Sequence, residues 1–144
     1  MNRGVHECFN LLNLEIMIFN SDLCKELLEQ AAASPRLRVN VDLRNSPKDT
    51  SQRVLYALAV GTEVPIHRHE DTAESVVCLC GRLEEIFYEF RDGNYCEAER
   101  HLLDPIAGRF GIQVPAGVWH SIRVLEPAVI FEAKDGAYVA PAPK

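Results

Sequence analysis

From Ser21 onward the apolar residues Leu23, Leu27 and Ala31 recur at helical spacing until Ser34-Pro35 interrupts them, which predicts one short amphipathic helix with Ser21 as its N-cap. After Pro35 the period falls to two. Val39, Val41 and Leu43 alternate with Arg38, Asn40 and Asp42, the pattern of a half-buried strand. A polar loop follows over residues 45–52, and beyond it strand-like runs are predicted at 54–60, 63–67, 75–80, 83–90, 95–102, 121–125 and 128–133. Asp92-Gly93-Asn94 separates two of these runs, and Gly108, Gly111, Pro115 and Gly117 punctuate the stretch before the last pair. Roughly eight short strands at regular spacing predict an all-β barrel or double-sheet sandwich carrying one helix.

Composition narrows the function classes. The chain has 144 residues with 47% apolar content, enough for one domain around a single core. A formal charge of -6 and a pI near 5.3 argue against nucleic acid as a partner, since the phosphate backbone is met by a surplus of Lys and Arg. The longest apolar run near the start is Ile16-Met17-Ile18-Phe19, far short of the roughly 18 to 20 residues that span a bilayer. Asn10, Asn13 and Glu15 break up the segment that a secretion signal would need to keep apolar. No membrane association and a cytoplasmic location are therefore expected. The cysteines at positions 8, 24, 78, 80 and 96 contain no C-x-x-C pair and are expected to be reduced thiols, most of them small apolar core residues.

The chemistry concentrates between Gly61 and Gly81. His67 and His69 flank a single residue in an extended segment, so both imidazoles point the same way, about 6.5 to 7 Å apart along the backbone. Residues 70–73 form a polar turn that returns the chain and starts the next strand at Glu74. Downstream, Pro115-Ala116-Gly117-Val118-Trp119-His120 sets a third histidine just after a Pro/Gly turn. Three imidazole nitrogens and one carboxylate oxygen are thus expected to converge on one divalent ion, with zinc, iron, manganese and nickel all compatible with the donor set. His6 and His101 lack such company and are read as structural. Period-two alternation from Glu74 turns Val76, Cys78 and Cys80 inward and Val77 and Leu79 outward, where a homodimer interface or the helix would cover them. Gln52 and Arg53 open a strand near the expected barrel mouth and are the candidate substrate contacts, the alternative being a solvated face with local ion pairs. Trp119, beside a ligand and facing the other way, is read as packing. Lys134 is left unassigned.

The stretch 61–81 resembles the first cupin motif, G-x5-H-x-H-x4-E-x6-G, at every defining position. The second, G-x5-P-x-G-x2-H-x3-N, is matched by Pro115, Gly117 and His120, while Gly108 lies one residue too far upstream and Val124 replaces the asparagine. More narrowly, the chain from about Ile16 to Tyr138 resembles the WbuC family of cupin-fold metalloproteins. The resemblance is carried by Ser34-Pro35-Arg36-Leu37-Arg38, Gln52-Arg53, Pro65-Ile66-His67-Arg68-His69, Gly117-Val118-Trp119-His120 and Phe131-Glu132-Ala133-Lys134. The chain departs from that family at Asn45, where a histidine is expected, and at Gly136-Ala137-Tyr138, where Gly-Pro-Tyr is expected.

The resemblance implies a mainly β fold, a cupin (double-stranded β-helix or jelly-roll) barrel with a short N-terminal helix. It implies an N-terminal extension over 1–15, the cupin domain over 16–138 and a tail over 139–144. It also implies a metal site at His67, His69, Glu74 and His120, and a small-molecule ligand such as a sugar or sugar-nucleotide intermediate of surface-polysaccharide synthesis. A metal-dependent isomerase or oxygenase, with Glu74 as ligand or catalytic base, is the enzyme reading. The alternative is a binding or regulatory module whose metal is structural, and a metal-free sugar epimerase of the same fold is a third.

Overall fold

The structure, a computed structural model, describes residues 16–139. The expected extension 1–15, with His6 and Cys8, and the tail residues 140–144 lie outside the described residues. The helix forms where the periodicity places it, as α1 (Ser21–Ala33). Its cap is one residue earlier than expected. Asn20 is extended and its side-chain oxygen accepts the Leu23 N–H at 2.9 Å, satisfying one of the first-turn donors that have no partner inside the helix. Cys24, Leu27 and Ala31 form the buried face, and they pack against Leu55, Ala57, Ala59 and Val129 on the outside of the sheet. Withdrawing Leu27 from water stabilises this docking by about 2 kcal/mol.

Among the described residues, six strands form one antiparallel sheet. They are β1 (Arg38–Asp42), β2 (Ser51–Leu58), β3 (Glu74–Arg91), β4 (Asn94–Leu103), β5 (Gly111–Val114) and β6 (Trp119–Asp135). Their order is β1-β2-β6-β3-β4, with β5 also paired to β3. The two longest strands organise everything else: β3 and β6 run antiparallel from Glu74 opposite Lys134 to Tyr88 opposite Trp119. The first half of β3 is flanked by β5 and the second half by β4, while β2 pairs with the second half of β6. Inward residues of both halves meet in one core of Leu58, Val76, Cys78, Leu83, Phe87, Leu103, Val114, Val124, Ala128 and Ile130. The result is a jelly-roll barrel with one helix on its outer face, the expected fold class.

Several boundaries differ from the sequence reading. The runs at 75–80 and 83–90 are one strand, as are those at 121–125 and 128–133. Gly81 and Pro127 do not end these strands but let them bend past each other. Gly81 has φ +82°, and a Cβ there would lie 2.0 Å from the Pro127 carbonyl oxygen, so only glycine permits the crossing. The expected strand at 63–67 reduces to a single bridge between His67 and His120, because Pro65 has no N–H to extend a ladder. The short β5 had gone unrecognised among its turn residues. The alternation expected along β3 holds through Cys78 and then breaks: register shifts between Cys78 and Cys80 place Leu79 and Cys80 on the same side, against the α1 cluster. Cys80 therefore does not line the interior with Val76 and Cys78. Leu79 is covered by the helix, and Val77 remains 41% exposed.

Candidate metal centre

The segment after β2 delivers the first two histidines, and the start of β6 fixes them in place. His67 N–H donates to the His120 carbonyl at 3.0 Å and His120 N–H donates back at 2.8 Å, while Gly117 N–H donates to the His69 carbonyl at 2.7 Å. Residues from two distant parts of the chain are thereby locked into one corner of the barrel. Glu74 is the first residue of β3, opposite Lys134 on β6 and Val114 on β5, and is 4% exposed. One ligand atom from each of His67, His69, Glu74 and His120 lies within 4.8 Å of the others. Among the described residues this is the one group of three or more such side chains with that convergence.

Hydrogen bonds set the ring orientations. His67 Nδ1 lies 2.9 Å from the Pro65 carbonyl oxygen and His120 Nδ1 lies 2.9 Å from that of Val118. A carbonyl only accepts, so each Nδ1 carries the proton and donates, leaving Nε2 with its lone pair for an ion. His120 Nε2 and Glu74 Oε2 are buried and lack a hydrogen-bond partner. They lie 3.7 Å apart, and His69 Nε2 is 3.1 Å from the same carboxylate oxygen. Orphaned buried polar atoms of this kind cost about 1 to 3 kcal/mol each, and a divalent cation coordinated among them removes that cost. The residues present thus fit a metal ion, and it is the facing of these unsatisfied donors that makes them fit.

The electrostatics agree. Burial raises the Glu74 pKa, but the neighbouring His120 and His69 imidazoles outweigh it and hold the carboxyl well below its usual range, so it stays ionised. Burial lowers His67, which favours the neutral ring a metal requires. At His120 burial also lowers the pKa, but the Glu74 carboxylate and the Val118 carbonyl raise it further. Burial, followed by the charge of Glu74, pushes the Glu132 carboxyl well above its usual range. Glu85 is 1% exposed, its Oε2 has no hydrogen-bond partner, and burial pushes it up to about 8.

Sequence reasoning did not single out Glu85, Glu132 or a role for Lys134. Strand parity held the signal, since Leu83, Glu85 and Phe87 share one face of β3, and Ile130, Glu132 and Lys134 share one face of β6. Of the two candidate substrate contacts, Gln52 is opposite Lys134 and donates from Nε2 to the Gly136 carbonyl at 3.1 Å. Arg53 is on the other face of β2, with Leu55, and is held by the Leu43 carbonyl at 3.3 Å and the Asp49 carboxylate at 3.4 Å. Trp119 also lies outside the site, half-buried beneath the Arg68 guanidinium at 4.5 Å and beside Tyr95 and Phe90. His101 sits 3.1 Å from Glu99, apart from the four ligands.

A jelly-roll barrel with three histidines and one carboxylate converging at one end defines a cupin-fold protein with a site suited to metal. The chain belongs to the family described as Domain of unknown function (DUF6016), whose model matches residues 19–101, more than half of the sequence. No curated protein matches it. Among solved structures it is similar to TT1209 from Thermus thermophilus, with TM-score 0.59 and 23% identity over 85% of this chain and 98% of that one. It is also similar to KdgF from Halomonas sp., with TM-score 0.55 and 17% identity over 73% of this chain and 83% of that one. An oxalate oxidase in complex with the substrate analogue glycolate aligns with TM-score 0.59 and 15% identity over 76% of this chain and 56% of that one. These likenesses establish the fold. No helix among the described residues is long and apolar enough to cross a membrane.

Proposed function

We propose that the chain is a metal-dependent enzyme that acts on a small polar molecule inside the barrel. The observation that carries this reading is the convergence of His67, His69, Glu74 and His120 with buried, unsatisfied atoms facing one another. A bound divalent ion supplies a Lewis acid there. The chain's own residues define the rest. Glu74 remains an ionised ligand rather than a free base, the carbonyls of Pro65 and Val118 hold two imidazoles in one tautomer, and Phe87 of the buried apolar core lies against His120. Glu85 presents a carboxyl group that keeps its proton near neutral pH and faces the interior as a hydrogen-bond donor. The resemblance to the WbuC family supports a sugar or sugar-nucleotide intermediate of surface-polysaccharide synthesis as the substrate class.

Elemental analysis of protein purified without chelator or affinity-column metal tests the reading. One divalent ion per chain with exchangeable water, lost in His120→Ala, is the expected result. A four-coordinate zinc with no exchangeable water makes the ion a brace for the barrel instead. Protein free of metal, with a melting temperature unchanged by chelator, refutes both.

A further inference from the structure

Lys134 stands at the metal corner across from Glu74 and makes no direct ion pair among the described residues. Its Nζ lies 3.4 Å from both ring nitrogens of His69. It is opposite Glu74 on β3 and opposite Gln52 on β2, so these three side chains share one face across adjacent strands. Arg44, Arg53, Arg82 and Arg100 are each paired with a carboxylate, and what sets Lys134 apart is its half-buried place beside His69. No carboxylate among the described residues forms an ion pair with Lys134. A half-buried ammonium is costly without a partner, and an ion on His69 adds a second positive charge beside it. An anion bound between them relieves both.

From this arrangement we infer that the site recognises the anionic end of its ligand, a carboxylate or phosphate oxygen, through Lys134, with Gln52 beside it. The inference rests on reading the corner as a metal site and adds the charge of the ligand to that reading. Lys134 is the residue that makes a charged ligand preferable to a neutral one of the same shape. Gln52 is tied to the Gly136 carbonyl by its amide nitrogen and so contributes a fixed polar neighbour rather than a charge.

The test uses the full chain loaded with cobalt(II), its stoichiometry fixed by elemental analysis. Glycolate, methyl phosphate and uncharged glycolamide are titrated, and binding is read from the heat and from the cobalt visible spectrum. At least one of the two anions is expected to bind about tenfold or more tightly than glycolamide, as a charge-assisted hydrogen bond requires. The tighter of the two identifies the ligand as carboxylate or phosphate. Lys134→Met is expected to abolish the preference and Lys134→Arg to retain it. Glycolamide binding as well as both anions, or a preference unchanged in Lys134→Met, overturns the inference while leaving the metal reading intact. A wild-type chain that takes no cobalt overturns the metal reading and this inference with it. Should Lys134→Met not fold, Lys134→Gln carries the same comparison, and an anion preference unchanged in it overturns the inference.

Discussion

Glu85→Gln is the substitution that most directly tests the electrostatics of the barrel interior. The Glu85 side chain is 1% exposed, unpartnered at Oε2, and carries a pKa raised by burial from 4.5 to about 8. In the unfolded chain the carboxyl gives up its proton near pH 4.5, whereas in the folded chain it holds the proton until about pH 8. Between those values the folded state binds more protons, so stability falls as pH rises. At about 1.4 kcal/mol per pH unit the loss amounts to roughly 5 kcal/mol across the window, and to about 3 kcal/mol between pH 5 and pH 7. Glutamine has the same shape and no titration. Urea unfolding of chelator-treated wild type and variant at pH 5, 6, 7 and 8 should therefore show the stability difference moving in favour of the variant by about 3 kcal/mol between pH 5 and 7. The contribution of His67 cancels in that difference, while His120 and Glu132, which sense the Glu85 charge, leave a smaller remainder. A difference that stays flat with pH would show that water or a basic partner reaches Glu85, and the argument from burial would be wrong.

Gly81→Ala forces a Cβ to within 2.0 Å of the Pro127 carbonyl oxygen at φ +82° and should cost about 3 kcal/mol or more, read from the urea midpoint; wild-type stability would refute the close crossing of β3 and β6. Asn20→Ala removes the cap on Leu23 N–H and should cost about 1 kcal/mol, whereas Ser21→Ala, at the first helical residue, should change stability far less. Thiol labelling at pH 8 mapped by mass spectrometry should modify exposed Cys96 well before Cys24 and Cys78, whose thiols burial pushes to about 11 and about 12. Equal labelling of Cys78 would mean that the barrel interior opens on that timescale.

The convergence of the four candidate metal ligands was legible in the sequence because each is tied to a local signal: His67 and His69 to period-two spacing, Glu74 to a polar turn before an apolar strand, and His120 to a Pro/Gly turn. The helix was legible for the same reason, its apolar stripe being a property of adjacent turns. Local pattern could not show that Gly81 and Pro127 sit inside continuous strands, because a glycine at a turn and a glycine at a strand crossing look alike until the partner backbone is in place. It could not follow parity past the shift after Cys78, since one register irregularity reverses the face of every later residue. The pairing of β6 with both β2 and β3 was likewise invisible, and that pairing alone sets Gln52, Lys134 and Glu74 side by side. Sequence determined the fold class and the four side chains that converge in it. Tertiary structure decided which further charges face them, because burial and the neighbours across a sheet depend on contacts between residues far apart in the chain.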